Sequence, residues 1–170
     1  MAHRFSVRVA GISLISIALT FAQTVSAAPL AERVRDALDR FQDVSVAAAE
    51  GYAPGPCVSG QGGGAMGIHY VNGDYLSDGA IDLAKPEAVM YEPTAEGTLA
   101  LIGVEYITFE GPAALEGHLF NLNGAPNRYG LDPFYELHVW AWKPNPNGTF
   151  ADWNPDVSCE ATTPEQTVAQ

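Results

Sequence analysis

The run from Phe134 to Trp142, FYELHVWAW, limits the fold more than any other stretch of the chain. It is dense in aromatic and apolar residues and free of glycine and proline, the composition of a strand. Strand side chains alternate between faces, so Glu136, His138, Trp140 and Trp142 are expected to point the same way. Beyond it the chain turns through Pro144-Asn145-Pro146-Asn147-Gly148 and passes Trp153 before ending this stretch on Cys159. The Asp-Trp-Asn-Pro string around Trp153 is expected to cap one end of a sheet.

Further strand signals precede it. Ile68–Val71 reads as a short strand closed by Asn72-Gly73. Residues 87–92 and 98–109 read as a hairpin joined by Pro93-Thr94-Ala95-Glu96-Gly97. In the second of these, alternation puts Leu101, Gly103, Glu105 and Ile107 on one face and Ile102, Val104 and Tyr106 on the other. Both faces are largely apolar, so the strand is central and Glu105 is a carboxylate that needs a partner. Residues 110–132 read as loop, with Leu119-Phe120 a candidate short strand and 123–127 a turn.

Residues 29–51 read as one amphipathic helix stopped by Gly51. Leu30, Val34, Leu38 and Phe41 recur at three- and four-residue spacing, and Val34, Ala37 and Phe41 are expected to be buried against the sheet. Tyr52–Gly67 is rich in Gly and Pro and reads as a loop. It is not a phosphate cradle, because its glycines precede a strand and no lysine follows. Asp74, Asp78 and Asp82 lack the alternating spacing of a calcium loop, so residues 72–86 read as a solvated connection.

Residues 1–27 read as an export signal: Arg4 and Arg8, an apolar run over 9–22, then Val25-Ser26-Ala27 before the cut. That run is shorter than the ~20 residues a spanning helix needs. Residues 28–170 then form a single exported domain, periplasmic or extracellular, of 170 − 27 = 143 residues. Six of the eight basic residues and all 20 acidic ones lie in it, a formal charge of 6 − 20 = −14. With no basic patch, nucleic acid and anionic membrane surfaces are poor partners. Cys57 and Cys159 are an even pair in an exported chain and read as one disulfide. Without a CxxC spacing, paired redox or metal-binding thiols are the weaker alternative.

Of the three histidines left after cleavage, His69 and His138 fall on strands, as do Glu105 and Glu136. If those strands are neighbours, two imidazoles and one or two carboxylates converge, a set suited to a divalent transition metal with open positions. Glu136 is the fourth member or the group that orients a ligand histidine, and His118 is a reserve ligand on a loop. Against this, each residue has an ordinary role available, as a hydrogen-bonded core histidine or a carboxylate on a wet sheet face. Tyr70, Tyr106, Trp140 and Trp142 are candidates for a ligand pocket, although aromatics at period two more often pack as core.

The strings GIHYVN (67–72), PNRYG (126–130), FYELHVWAWK (134–143) and NPNGTFADWNP, ending in VSC (145–159), resemble a family of small exported bacterial proteins of unknown function. The resemblance spans most of the exported chain and implies a single exported domain, with no particular chemistry. The sequence therefore predicts an α+β fold: an N-terminal amphipathic helix on a curved antiparallel sheet of four to six strands, with one disulfide. Two function classes follow from the residues. One is a binding protein for a metal or small molecule, the other a metal-assisted enzyme using the same His/Glu set. A purely structural envelope protein is the third.

Overall fold

The computed structural model describes residues 28–60, 63–127 and 129–162. The export-signal reading of residues 1–27 lies outside them. The fold is α+β, with a curled six-stranded antiparallel sheet and a short helical segment before it. The helical segment comprises α1 (Leu30–Leu38), a 3-10 turn (Asp39–Gln42) and α2 (Val44–Ala49). The main sheet has β1 (Tyr52–Gly60), β2 (Gly64–Asn72), β3 (Ala88–Pro93), β4 (Leu99–Thr108), β7 (Asn121–Asn123) and β8 (Phe134–Val139). Their spatial order is β1-β2-β3-β4-β8-β7. A two-stranded ribbon, β5 (Ala114–Leu115) with β6 (His118–Leu119), precedes β7, and α3 (Gly73–Asp78) follows β2.

The predicted single helix over 29–51 is broken. Asp43 takes an extended conformation, and its carboxylate accepts from the Ser45 N–H at 2.9 Å, which starts α2 as a separate helix. The buried stripe is Leu30, Val34, Leu38 and Phe41, whereas Ala37 is exposed. The first three follow an i, i+4 row. The 3-10 turn then stacks Phe41 on Leu38, because residues three apart eclipse in that geometry. Phe41 packs edge-on to Tyr52 at 5.3 Å, and its carbonyl accepts from the Tyr91 hydroxyl at 2.7 Å.

Tyr52–Gly67 is not a loop. It contains β1 and the start of β2, with irregular pairing at Pro54/Cys57 and Val58/Ser59. Prolines are tolerated there because β1 is an edge strand and its outward N–H positions need no partner. Residues 72–86 also hold more structure than predicted. Asn72 caps α3 by accepting from the Asp74 and Tyr75 N–H groups. Asp78 and Asp82 accept from Ala80 and Ala84 two residues on, so they close turns.

The sheet buries both faces. One carries Val89, Tyr91, Leu101, Val104, Tyr106, Leu137 and Val139 toward the helical segment. The other carries Ala65, Met90, Ile102 and Trp140, covered by Val157 from the C-terminal tail. Simple alternation misplaces Leu101. The β3–β4 register slips between Met90 and Tyr91, leaving Ile102 as the extra residue, so Leu101 faces the helices and Ile102 the tail. Gly103 then lies opposite Met90, where an added Cβ would meet the Val139 oxygen at 2.7 Å and the Met90 methyl at 2.8 Å.

The tail is held by the Cys57–Cys159 disulfide, whose Cα atoms are 5.8 Å apart. Asn154 bridges to Ala65 in both directions at 3.1 Å, and the Trp153 ring lies against Gly60, where a Cβ would approach it to 2.9 Å. The Trp153 region thus closes the β1–β2 end of the sheet, as predicted. Among the described residues no helix is long and apolar enough to cross a membrane.

Phe41 is wholly buried and Ala37 is not, which separates cover from surface. Phe41→Ala should cost about 3–5 kcal/mol in denaturant unfolding, whereas Ala37→Ser should stay within about 0.5 kcal/mol. A Phe41→Ala change below about 1 kcal/mol would contradict this packing.

Candidate metal centre

Three strands of the tail-side face contribute the predicted residues. Glu105 on β4 is directly opposite His138 on β8, and opposite Ala88 on its other side. His69 on β2 pairs with Met90, so it lies one step along the face and two strands from Glu105. The small Ala88 side chain leaves the space over β3 in which His69 and Glu105 meet. His69 Nε2 is 3.3 Å from Glu105 Oε2, and His138 Nε2 is 3.8 Å from Glu105 Oε1. The two imidazoles are 5.9 Å apart and nearly perpendicular. Relative exposure is 8% for His69, 4% for Glu105 and 0% for His138, so the set is dehydrated.

Glu136 shares the face with His138, two residues away on β8, and is buried with Oε2 lacking a hydrogen-bond partner. It also faces a residue that sequence reasoning missed. Asp152, in the loop after β8, puts Oδ1 3.6 Å from His138 Nδ1. Glu136, His138 and Asp152 form a second group whose ligand atoms lie within 4.8 Å of one another, as those of His69, Glu105 and His138 do. The Asn121 amide donates to Asp152 at 3.1 Å and fixes its position from β7. The sequence carried one hint, an aspartate beside Trp153 in the segment that the disulfide returns to the sheet.

His138 is the pivot of this arrangement. Its Nε2 faces Glu105 and its Nδ1 faces Asp152, yet neither nitrogen makes a hydrogen bond. Burial, and then the Glu136 carboxylate, hold the Glu105 carboxyl well above the ordinary carboxylate range. The His138 imidazole holds Asp152 below that range, against the effect of burial and with help from Asn121. The two carboxylates on either side of His138 are therefore pushed in opposite directions.

Other predicted residues are elsewhere. His118, the reserve ligand, packs against Phe150 at 4.2 Å with the rings tilted by 41°, and Phe150 packs on the helix-side core. It belongs to neither convergent group among the described residues. The four aromatic pocket candidates are packing residues and line neither a cavity of about 610 Å³ nor one of about 350 Å³. Tyr70 packs edge-on to Tyr91 at 5.0 Å, and the Tyr106 hydroxyl donates to the Leu83 carbonyl at 2.8 Å. Trp140 keeps the predicted side beside His138, with ring planes 15° apart, and its indole donates to the Ala151 carbonyl. Trp142 does not. After Val139 the chain leaves the ladder, and the Trp142 and Lys143 N–H groups both donate to the Ile102 carbonyl. That turn breaks the alternation and puts Trp142 on the helix-side core, with its indole N–H 3.3 Å from Asp39.

A further buried carboxylate lies outside the cluster. Glu87 Oε2 accepts from the Ile107 N–H at 2.8 Å, replacing a ladder bond, and burial pushes its carboxyl up to about 7. The 350 Å³ cavity opens beside the cluster, lined among others by Glu136, Asp152, Asn121, Asn123 and Trp153. Comparison with family models, with curated proteins and with solved structures gave no match to this chain, so the chemistry of the site is read from its own residues.

The buried state of Glu105 has a consequence for the metal-free protein. Its folded-state pKa is raised above the unfolded value, so its contribution to stability is full below the unfolded value and lost as pH rises. Glu105→Gln removes the charge and keeps the shape. In chelator-treated protein the variant should gain stability relative to wild type as pH is raised from about 4.5, the ordinary glutamate value, to about 8. A stability difference independent of pH would contradict the buried, raised carboxyl.

Proposed function

We propose that this chain is an exported protein that binds one divalent transition metal ion through His69, Glu105 and His138, with Asp152 orienting His138. The observation that carries this reading is the state of His138. Both ring nitrogens of a wholly buried imidazole stand 3.6–3.8 Å from carboxylate oxygens, beyond hydrogen-bond length. Ligand atoms bonded at about 2.0–2.2 Å to one tetrahedral ion are separated by roughly 3.3–3.6 Å. The 3.3 Å from Glu105 Oε2 to His69 Nε2 matches that edge length, and the 3.8 Å from Glu105 Oε1 to His138 Nε2 is slightly longer than it, so each carboxylate oxygen faces one imidazole. Two imidazoles and one carboxylate leave a position for water or a small ligand. Asp152 beside Nδ1 is placed as the carboxylate that holds a ligand histidine in one tautomer.

Charge supports the same reading. Among the described residues, the Lys and Arg ion pairs go to Glu116, Glu50 and Glu92, and none reaches Glu105, Glu136 or Asp152. Two carboxylates on a buried sheet face and a third in the loop beside it therefore lack a permanent cation, and a bound ion would supply one. Export is supported by the disulfide and by the leader-like sequence of residues 1–27. The cavity of about 350 Å³ bounded by Glu136 and Asp152 favours a second reading, a metal-assisted enzyme in which a small substrate approaches from that side.

Equilibrium dialysis of the full exported chain against Zn²⁺ should find binding that His138→Ala or Glu105→Gln weakens by at least a hundredfold. His118→Ala should leave it unchanged. Because the ligands must be neutral imidazole and ionised carboxylate, affinity should rise with pH between about 5 and 7.5. Equal affinity in wild type and His138→Ala would refute the proposal.

A further inference from the structure

We infer that His138 is shared by two cations, the second held at the cavity side by Nδ1 of His138 together with Asp152 and Glu136. This inference rests on the metal site proposed above and extends it. Its starting point is the second convergent group, whose three ligand atoms lie within 4.8 Å of one another. Acidic residues near each other would not suffice. Here the group includes a wholly buried imidazole nitrogen without a hydrogen bond and a 4%-exposed carboxylate whose Oε2 has none.

The geometry of the ring supplies the rest of the argument. Nε2 and Nδ1 leave an imidazole in divergent directions, and each has its own carboxylate: Glu105 for Nε2 and Asp152 for Nδ1. An ion on Nε2 therefore cannot also engage Nδ1. With one ion bound, Nδ1 carries a proton directed at Asp152. A second ion takes the place of that proton, which is released to solvent, and His138 becomes a bridging imidazolate. The 3.6 Å separation of Nδ1 from Asp152 Oδ1 is long for a hydrogen bond and close to a coordination edge. Asp152 and Glu136 both line the cavity, so the second ion has a route from solvent. One nitrogen and two carboxylate oxygens suit a divalent first-row ion, with water completing its shell.

Titration of the full exported chain with Cu²⁺, followed by electron paramagnetic resonance, tests this directly. The first equivalent should give the signal of an isolated ion. The second should diminish that signal, because an imidazolate bridge couples the two spins, and should release one more proton than the first-site chemistry alone. Asp152→Asn should bind one equivalent only and keep the isolated signal at excess copper, and Asp152→Glu should regain the second. Saturation at one equivalent in wild type, or a second equivalent that adds to the signal as an independent ion, would overturn the shared-imidazole inference and leave the first site standing. A coupled pair persisting in Asp152→Asn would overturn it too. Binding of no copper at all would remove both this inference and the metal site on which it rests.

Discussion

Glu105 imposes the constraint that organises this protein. A carboxylate on a central strand, 4% exposed, loses most of its hydration and must either remain protonated or meet positive charge. Its neighbours are two imidazoles and a second carboxylate, Glu136, with no Lys or Arg paired to either among the described residues. Replacing such a group by an apolar residue would suit a sheet whose only task was to pack. In the metal-free state the raised Glu105 carboxyl favours its neutral form, which relieves the repulsion with Glu136. A divalent ion would relieve it more fully and would also engage His138.

The rest of the fold places donors around that carboxylate. The β4–β8 register sets His138 opposite Glu105, and Ala88 keeps β3 low enough for His69 to reach across. The opposite face is committed to ordinary packing against the helical segment. The tail completes the site face, with Val157 on the Met90–Ile102–Trp140 cluster and Asp152 at His138. The Cys57–Cys159 bond closes a separation of 102 residues. In the chain-entropy account that removes about 4–5 kcal/mol of disorder from the unfolded state. It also fastens the segment that carries Asp152 to β1, with help from the Asn154–Ala65 bridge and the Glu92 carboxylate, which accepts from the Ser158 N–H.

Local pattern was enough to read much of this. Period-two alternation found β8 and β4, placed Glu136 and His138 on one face, and marked Glu105 as a carboxylate in need of partners. The cysteine pair followed from counting. What the sequence did not show depends on interruptions of pattern. The bulge at Ile102 moves Leu101 to the other face, and the turn after Val139 does the same to Trp142. The strand β1 was hidden because Pro54, Gly55 and Pro56 look like a loop until an edge position excuses them. Asp152 was hidden because its role is set by a disulfide-fastened loop, and loop placement has no periodicity to read.

Whether His69, Glu105 and His138 share one ion can be measured most directly by X-ray absorption on the protein loaded with a single equivalent of Zn²⁺. The account predicts a first shell of nitrogen and oxygen only, at about 2.0–2.1 Å. It also predicts the outer-shell scattering of two imidazoles, falling to one imidazole in His69→Ala. A shell of oxygen alone, or two imidazoles persisting in His69→Ala, would contradict it.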